Sequence, residues 1–475
     1  MDATITAVEL AEGKSATVLL HAALASAATG FPEVFGDLDF PTDPSVFKSA
    51  YAEILPVFEA TRANSDRRTA IARAVVDAAR TTMVMNPGAV PLADAVAQPT
   101  DPLPVESWSP RGPSRLQPRV PFGGRVLAGA DLVGEVTKMV DRGSASRSVA
   151  GAISWLVDAA GGDGIDLTGR RIVMLGAGAE LAPTRLWLEA GAEVLWVDIA
   201  DPPDALLDAD ELSGSLRWVR GGVDLLTNPH RVRATIEQFA GGEPVEVGLY
   251  AYAPGRAREW RLAATMNAII DALPAGAVRN VALLLSPTTC GILTDDDIEI
   301  EAARRADRPR WLGALDTVGA LGRGDGHVTR GSVAVNRGIV SIQGGSYQAA
   351  QYVGKMLAAE AWATADDPIL VSANTAGISL TESIHHPVFD IAFAGASTLG
   401  VETFDPPTTS ALNGLLTLHD RIDPTAADRG IDELFSTRVH GGIYVTPYPI
   451  DPALRVAAAI GVVKDPRRVG ALIRR

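Results

Sequence analysis

The segment from Arg170 to Asp198 constrains the fold of this chain more than any other. An apolar run over 171–175 leads into Gly176-Ala177-Gly178, a helical pattern follows, and a second apolar run ends at Asp198, 22 residues after Gly176. Strand, glycine turn, helix and a strand ending in a carboxylate form the order of a nucleotide-binding unit. The glycines let the backbone approach a pyrophosphate, and the carboxylate can meet a ribose. The segment therefore predicts a dinucleotide site.

The alternation of strand and helix patterns continues beyond this unit. Repeated alternation predicts an α/β fold, with a doubly wound parallel sheet of Rossmann-like type and an additional, mainly helical N-terminal region. Ligands of such sheets bind at the carboxyl ends of the strands. The predicted strands are 171–175, 193–197, 216–223, 245–251, 280–285 and 369–373, and the helices between them are 181–190, 228–239, 259–273 and 346–364.

A chain of 475 residues predicts more than one packed region. Residues 1–165 carry helical patterns and are expected to form a cap or substrate region. Residues 166–380 are expected to form the nucleotide-binding domain, with an insertion at about 292–345 that contains a hairpin turning at Asn336-Arg337-Gly338. Residues 381–475 read as a C-terminal extension of helices and loops.

Composition narrows the class of partner. The net charge of −15 argues against nucleic acid, because binding to its phosphates needs clustered lysine and arginine. Cys290 is the only cysteine, which excludes an intrachain disulfide and favours a reducing compartment. The apolar run 17–28 is too short to span a bilayer. We expect a cytoplasmic protein with a small-molecule substrate and no membrane partner.

Further along the chain, Ser286 follows the fifth predicted strand, and the next long helix carries Tyr347 and Lys355. With the glycine turn and Asp198, this order resembles the short-chain dehydrogenase/reductase domain, over about 200 residues. The resemblance implies binding of NAD or NADP and reduction of a carbonyl or enoyl group of a small organic or acyl substrate. In the family's Tyr-x-x-x-Lys signature, Gln351 stands at the lysine position and Lys355 lies one turn later.

The resemblance also implies roles for individual residues. Tyr347 would donate a proton with Lys355 nearby, Ser286 would orient the substrate, and Tyr352 with Lys355 is a second possible pairing. Asp198 favours NAD over NADP, because a carboxylate repels the extra phosphate. The family's habit of pairing subunits implies a homo-oligomer, either a dimer or a tetramer. The residues expected to bind the cofactor are Gly176, Gly178, Ala179, Asp198, Asp224, Ala253 and Gly255.

Two alternatives remain open from the sequence. Leu181 replaces the third glycine of the Gly-x-Gly-x-x-Gly pattern, and the lysine is displaced, which also suits a nucleotide-binding sensor or scaffold without redox turnover. A different two-domain dehydrogenase plan would take its base from residues 1–165. No His-x-x-x-His or Cys-x-x-Cys spacing occurs, so no metal site is predicted.

Overall fold

The structure is a computed structural model, and it describes residues 7–109, 112, 115–381 and 387–464. Its N-terminal part contains helices and short strands. These helices are α1 (Ala16–Gly30), α2 (Pro32–Phe35), α3 (Pro44–Ala63), α4 (Arg68–Arg80), α5 (Leu92–Ala97), α6 (Gly129–Asp141) and α7 (Arg147–Ala160). The strands are β1 (Ala7–Leu10), β2 (Met83–Asn86), β3 (Val90–Pro91), β4 (Glu106–Trp108), β5 (Arg119–Phe122) and β6 (Arg125–Ala128).

The middle and the end of the chain carry the remaining elements. The strands are β7 (Arg171–Leu175), β8 (Glu193–Val197), β9 (Ser215–Trp218), β10 (Val245–Leu249), β11 (Val278–Leu285), β12 (His327–Arg330), β13 (Val333–Asn336) and β14 (Leu370–Thr375). The helices are α8 (Thr184–Glu189), α9 (Asp204–Leu207), α10 (Pro229–Ala240), α11 (Arg258–Ala272), α12 (Asp295–Ala306), α13 (Arg310–Thr317), α14 (Gly344–Gln348), α15 (Ala358–Ala363), α16 (Pro387–Ala396), α17 (Pro406–Ile422) and α18 (Ile450–Lys464). A π-helical segment, Ala349–Leu357, joins α14 to α15.

A seven-stranded sheet lies at the centre, in the order β14-β11-β10-β7-β8-β9-β4. Six neighbouring strands run parallel, and β4 pairs antiparallel with β9 at one edge. In chain order the parallel strands are therefore arranged third, second, first, fourth, fifth and sixth. The prediction of an α/β chain with a parallel sheet is confirmed.

Both faces of this sheet are buried, as the continuous apolar runs require for parallel strands. Alternate residues of β7 enter different cores: Val173 and Leu175 face the N-terminal helices with α11, whereas Ile172 and Met174 face α7, α8 and α17. The six parallel strands also end at one edge. That edge is where side chains from distant parts of the chain meet.

The N-terminal part packs into the same core as the sheet. Phe47 and Phe58 of α3 belong to the cluster that includes Val281 and Leu283 of β11. A buried ion network continues this contact, since the Arg62 guanidinium binds Glu59 and Glu360 at 2.8 Å each. Helix α3 is thereby fixed to α15.

Several boundaries differ from the sequence predictions. The hairpin of β12 and β13 turns at Gly331 and Ser332, where Gly331 has φ +57°, and not at 336–338. The predicted helix 181–190 is formed only over Thr184–Glu189, because the chain up to Pro183 makes turns. The predicted helix 346–364 is wound as a π-helix in its middle.

Candidate functional site

A cavity of about 580 Å³ opens at the carboxyl ends of β7, β10, β11 and β14. Parallel strands place their final residues at one edge, so side chains that are far apart in sequence converge there. Five predicted site residues line this cavity, together with Gln351, which stands at the lysine position of the predicted signature. The five are Gly178, Ala179, Ser286, Tyr347 and Lys355.

The polar side of the cavity is a hydrogen-bonded cluster around the end of β11. The Ser286 hydroxyl lies 2.8 Å from that of Thr288, and the Thr288 hydroxyl donates to Gln343 Oε1 at 2.8 Å. The backbone N–H of Ser286 donates to Gln351 Oε1 at 3.1 Å. These bonds tie the strand end to the helix that carries Tyr347.

The Tyr347 phenol lines the cavity beside this cluster. Burial raises the pKa of its phenol above the usual value, while interactions with Ser286, Thr288 and Gln343 act in the opposite direction. Its ring meets Tyr252 edge to face, with 6.3 Å between the ring centroids. A phenol with a raised pKa is protonated at neutral pH and can donate a hydrogen bond or a proton.

Lys355 lines the same cavity from the π-helical segment. Its Nζ donates a hydrogen bond to the carbonyl oxygen of Leu284 at 2.8 Å. Burial lowers the pKa of this amine to about 8. No ion pair to Lys355 is found among the described residues, and burial is the only cause of its lowered pKa. The amine is therefore a cation near neutral pH that lacks a carboxylate partner there.

The glycine turn forms another part of the cavity wall. Gly176 has φ +86°, and a Cβ on it would lie 2.2 Å from the backbone nitrogen of Ala251. Only glycine permits this close approach between the turn after β7 and the turn after β10. Gly178 and Ala179 follow it and line the cavity, while Gly176 itself is buried.

The turn's backbone donors are used within the protein. The N–H of Gly176 donates to Val197 O at 2.8 Å, and that of Ala179 to Gly176 O at 3.1 Å. Asp198 accepts from the N–H of Gly178 at 2.9 Å and, through its other oxygen, from Ile199 at 2.7 Å. Asp198 thus holds the turn in shape. A carboxylate oxygen has more than one acceptor site, so each can still accept a hydroxyl.

Five predicted cofactor residues are not among the described residues that line the cavity, namely Gly176, Asp198, Asp224, Ala253 and Gly255. Asp224 Oδ1 accepts from the backbone N–H of Leu226 at 2.8 Å, which stabilises a local turn. Ala253 and Gly255 lie in the loop after β10, and the Gly255 N–H donates to Glu259 at 3.2 Å. The contacts of Asp224 and Gly255 stabilise the local turn and loop.

Tyr352 also lies away from the cavity. It is completely buried, and its hydroxyl donates to Glu59 Oε2 at 2.6 Å within the Arg62 network. The structure therefore places Tyr347, and not Tyr352, beside Ser286. The two tyrosines are five residues apart, so they leave their helix in different directions.

The opposite wall of the cavity was not expected from the sequence. It is apolar, and it comes from α16, α18 and the chain between them, a part of the sequence without a motif. The two helices pack closely, since a Cβ on Gly395 would lie 1.9 Å from Ala457 O. The only signal was the apolar spacing within each helix. The wall residues include Phe389, Phe393, Leu399, Ile450 and Leu454.

In the described ranges, no three histidine, cysteine or acidic side chains are grouped as a metal ion would require. No helix among the described residues is long and apolar enough to cross a membrane. Comparison with protein-family models and with curated proteins found no match.

Proposed function

We propose that this protein is an NAD(P)-dependent oxidoreductase of the short-chain dehydrogenase/reductase type, which acts on a carbonyl or enoyl group. The observation that carries the proposal is the shared cavity. Gly178 and Ala179, at the nucleotide end, and Ser286, Tyr347 and Lys355, at the chemical end, line one continuous space. Binding and proton-donating groups of the kinds that hydride transfer to a carbonyl requires are therefore adjacent.

The sheet order supports the same proposal. The arrangement third, second, first, fourth, fifth, sixth is that of doubly wound, Rossmann-like dinucleotide-binding folds. In such folds the ligand lies outside the strand ends where the order reverses. Here the reversal lies between β7 and β10, and both strand ends border the cavity.

The residues fit a dinucleotide at the ribose and less well at the pyrophosphate. Asp198 can accept ribose hydroxyls, which favours NAD. The turn donors at Gly176, Gly178 and Ala179 already have partners within the chain, so they add little to phosphate binding. Helix α8 is also only six residues long. We expect most of the cofactor affinity to come from the ribose and nicotinamide ends.

Each catalytic side chain has a separate role in the proposal. A nicotinamide, if bound at this cavity, would supply the hydride for reduction of the substrate carbon. Tyr347 donates its phenolic proton to the oxygen, and Ser286 orients that oxygen by a hydrogen bond. Lys355 brings a positive charge to the polar end of the cavity, where it attracts a negatively charged group of the ligand.

Thermal unfolding with and without cofactor tests the proposal. A ligand at a hundred times its dissociation constant adds about 2.7 kcal/mol to the free energy of unfolding. We expect millimolar NAD(H) to raise the melting temperature, and NADP(H) to raise it less. If none of the four nucleotides shifts the melting temperature, the proposal is wrong.

A second candidate, a nucleotide sensor or scaffold, is favoured by one observation. The glycine turn satisfies its own donors, as a turn that no longer holds a pyrophosphate would. A sensor binds the nucleotide without turnover. A screen of carbonyl and enoyl substrates with NADH, followed by absorbance of the reduced nicotinamide, separates the two candidates.

A further inference from the structure

The cavity combines one cation with a large apolar wall. Among the described residues that line it, Lys355 is the only cationic side chain, and Glu180, in the turn after β7, is the only acidic one. A charge held in apolar surroundings without a counterion carries a desolvation cost, which an anionic ligand group would relieve. This asymmetry favours a ligand with a negative charge at one end.

The rest of the ligand must match the wall formed by α16 and α18. Phe393, Ile450 and Leu454 contribute carbon surface to it. Burying hydrocarbon here is favourable by about 0.8 kcal/mol for each methylene, which corresponds to about fourfold in affinity. A polar substrate such as a sugar would leave its hydroxyls without partners against this wall.

We propose that the substrate is an apolar oxo acid, whose carboxylate pairs with Lys355, whose carbonyl lies at Tyr347 and Ser286, and whose hydrocarbon chain lies against α16 and α18. The proposal rests on the proposed function in assuming that this cavity is the substrate site. It goes further by naming the two chemical features of the substrate that lie outside the reacting carbonyl.

The spacing of the polar groups suits this class. Lys355 binds the carbonyl of Leu284, and Tyr347 interacts with Ser286, two residues further along the same strand. Two residues of extended chain span about 7 Å. A carboxylate one or two bonds away from a ketone can therefore contact Lys355 while the ketone oxygen contacts the hydroxyl groups.

Ligand binding without cofactor tests the inference. Decanoate, 1-decanol and butanoate are titrated into the full chain, and affinity is measured by calorimetry. We expect decanoate to bind about tenfold to a hundredfold more tightly than 1-decanol, the range of a hydrogen bond to a charged group. We expect butanoate to bind much more weakly than decanoate, because it leaves the apolar wall uncovered.

Two lysine variants locate the charge. Lys355→Met keeps the length and the apolar stem but removes the ammonium group, and it should abolish the preference for decanoate over 1-decanol. Lys138→Met is the matched control, because Lys138 is exposed on α6 and pairs with Glu135. Both variants are expected to remain folded, and their melting curves check this. A decanoate preference that persists in folded Lys355→Met overturns the inference.

The pH dependence provides a second measurement that a merely structural lysine would not affect. Carboxylate binding favours the protonated amine, so decanoate affinity should fall as pH rises above about 8, and 1-decanol affinity should not change. Equal binding of decanoate and 1-decanol by the wild-type chain contradicts the inference. Decanoate binding without any nucleotide shift would instead reject the cofactor proposal and leave this ligand class standing.

Discussion

The Asp198 carboxylate accepts a hydrogen bond from the backbone N–H of Gly178, with 2.9 Å between Oδ2 and the nitrogen. The residue expected to bind a ribose thus also stabilises the turn expected to bind a phosphate. Any nucleotide at this position must bind to a turn that is already held in shape. Asp198 therefore has a structural role and a proposed binding role, and a mutation can separate them.

Asp198→Ala should affect both roles. Losing hydrogen bonds to a charged group should lower the free energy of unfolding by about 1–3 kcal/mol. The preference for NAD over NADP should disappear, because no carboxylate then repels the additional phosphate. Urea unfolding and calorimetry with each nucleotide measure the two effects. Asp204→Ala, at the start of α9, is a nearby control that should keep the preference, and a retained preference in Asp198→Ala would reject the ribose role.

Tyr347→Phe should lower turnover while leaving the fold intact. Loss of a general acid typically costs 10²–10⁴ in rate, so we expect kcat to fall by about that factor with little change in cofactor binding. The matched control is Tyr352→Phe, which removes a buried hydroxyl from the same helix but outside the cavity. It should keep kcat and lose about 1.5–3 kcal/mol of stability, because Glu59 loses a donor. The opposite pattern would assign the chemistry to Tyr352.

Arg62→Leu should be among the most destabilising substitutions in the chain. It leaves the carboxylates of Glu59 and Glu360 buried, with only Arg68 still paired to Glu360. Breaking a buried pair in this way costs about 3–5 kcal/mol. Arg80→Leu removes an exposed arginine that pairs with Asp77 and Asp271, and it should cost about 1 kcal/mol or less. Chemical unfolding measures the loss of stability in both variants. Equal losses would mean that the buried network stabilises the fold no more than the exposed ion pairs do.

The His327 and Glu301 pair should make stability depend on pH. The hydrogen bond that His327 Nδ1 donates to Glu301 Oε2, at 2.6 Å, raises the pKa of His327 above its usual value. A raised folded pKa means that the stabilisation is complete below about pH 6.5 and is lost as pH rises through the folded value. The stability difference between the wild-type chain and His327→Gln should therefore shrink as pH rises above about 6.5. A constant difference would mean that the histidine does not titrate in this range.

The strands of the sheet were predictable because each is a short apolar run between turn residues. The predicted strand 171–175 coincides with β7, and 193–197 with β8. Helix ends and the hairpin were less predictable. The sequence contains a possible glycine turn at Gly331 and another at Gly338. The pairing of β12 with β13 places the turn of the hairpin at Gly331.

The site was predictable in part, for a related reason. Gly178, Ser286, Tyr347 and Lys355 follow strands or lie on the helix before β14, so topology brings them to one edge. The sides to which Tyr347 and Tyr352 point depend on the helix winding, which becomes π-helical at Ala349. No periodicity in the sequence signals that change of winding.

By itself the sequence determined the α/β alternation, the parallel sheet and the glycine turn after β7. Each of these features follows from local properties of the chain. The spacing of apolar residues predicts the strands and helices, the length of chain between strands predicts parallel pairing, and the backbone freedom of glycine permits the turn. Tertiary structure alone decided that Asp198 bonds to Gly178, that Tyr352 is buried with Glu59, and that α16 and α18 wall the cavity. Such contacts join residues from 20 to about 300 positions apart, and they depend on how whole elements pack together.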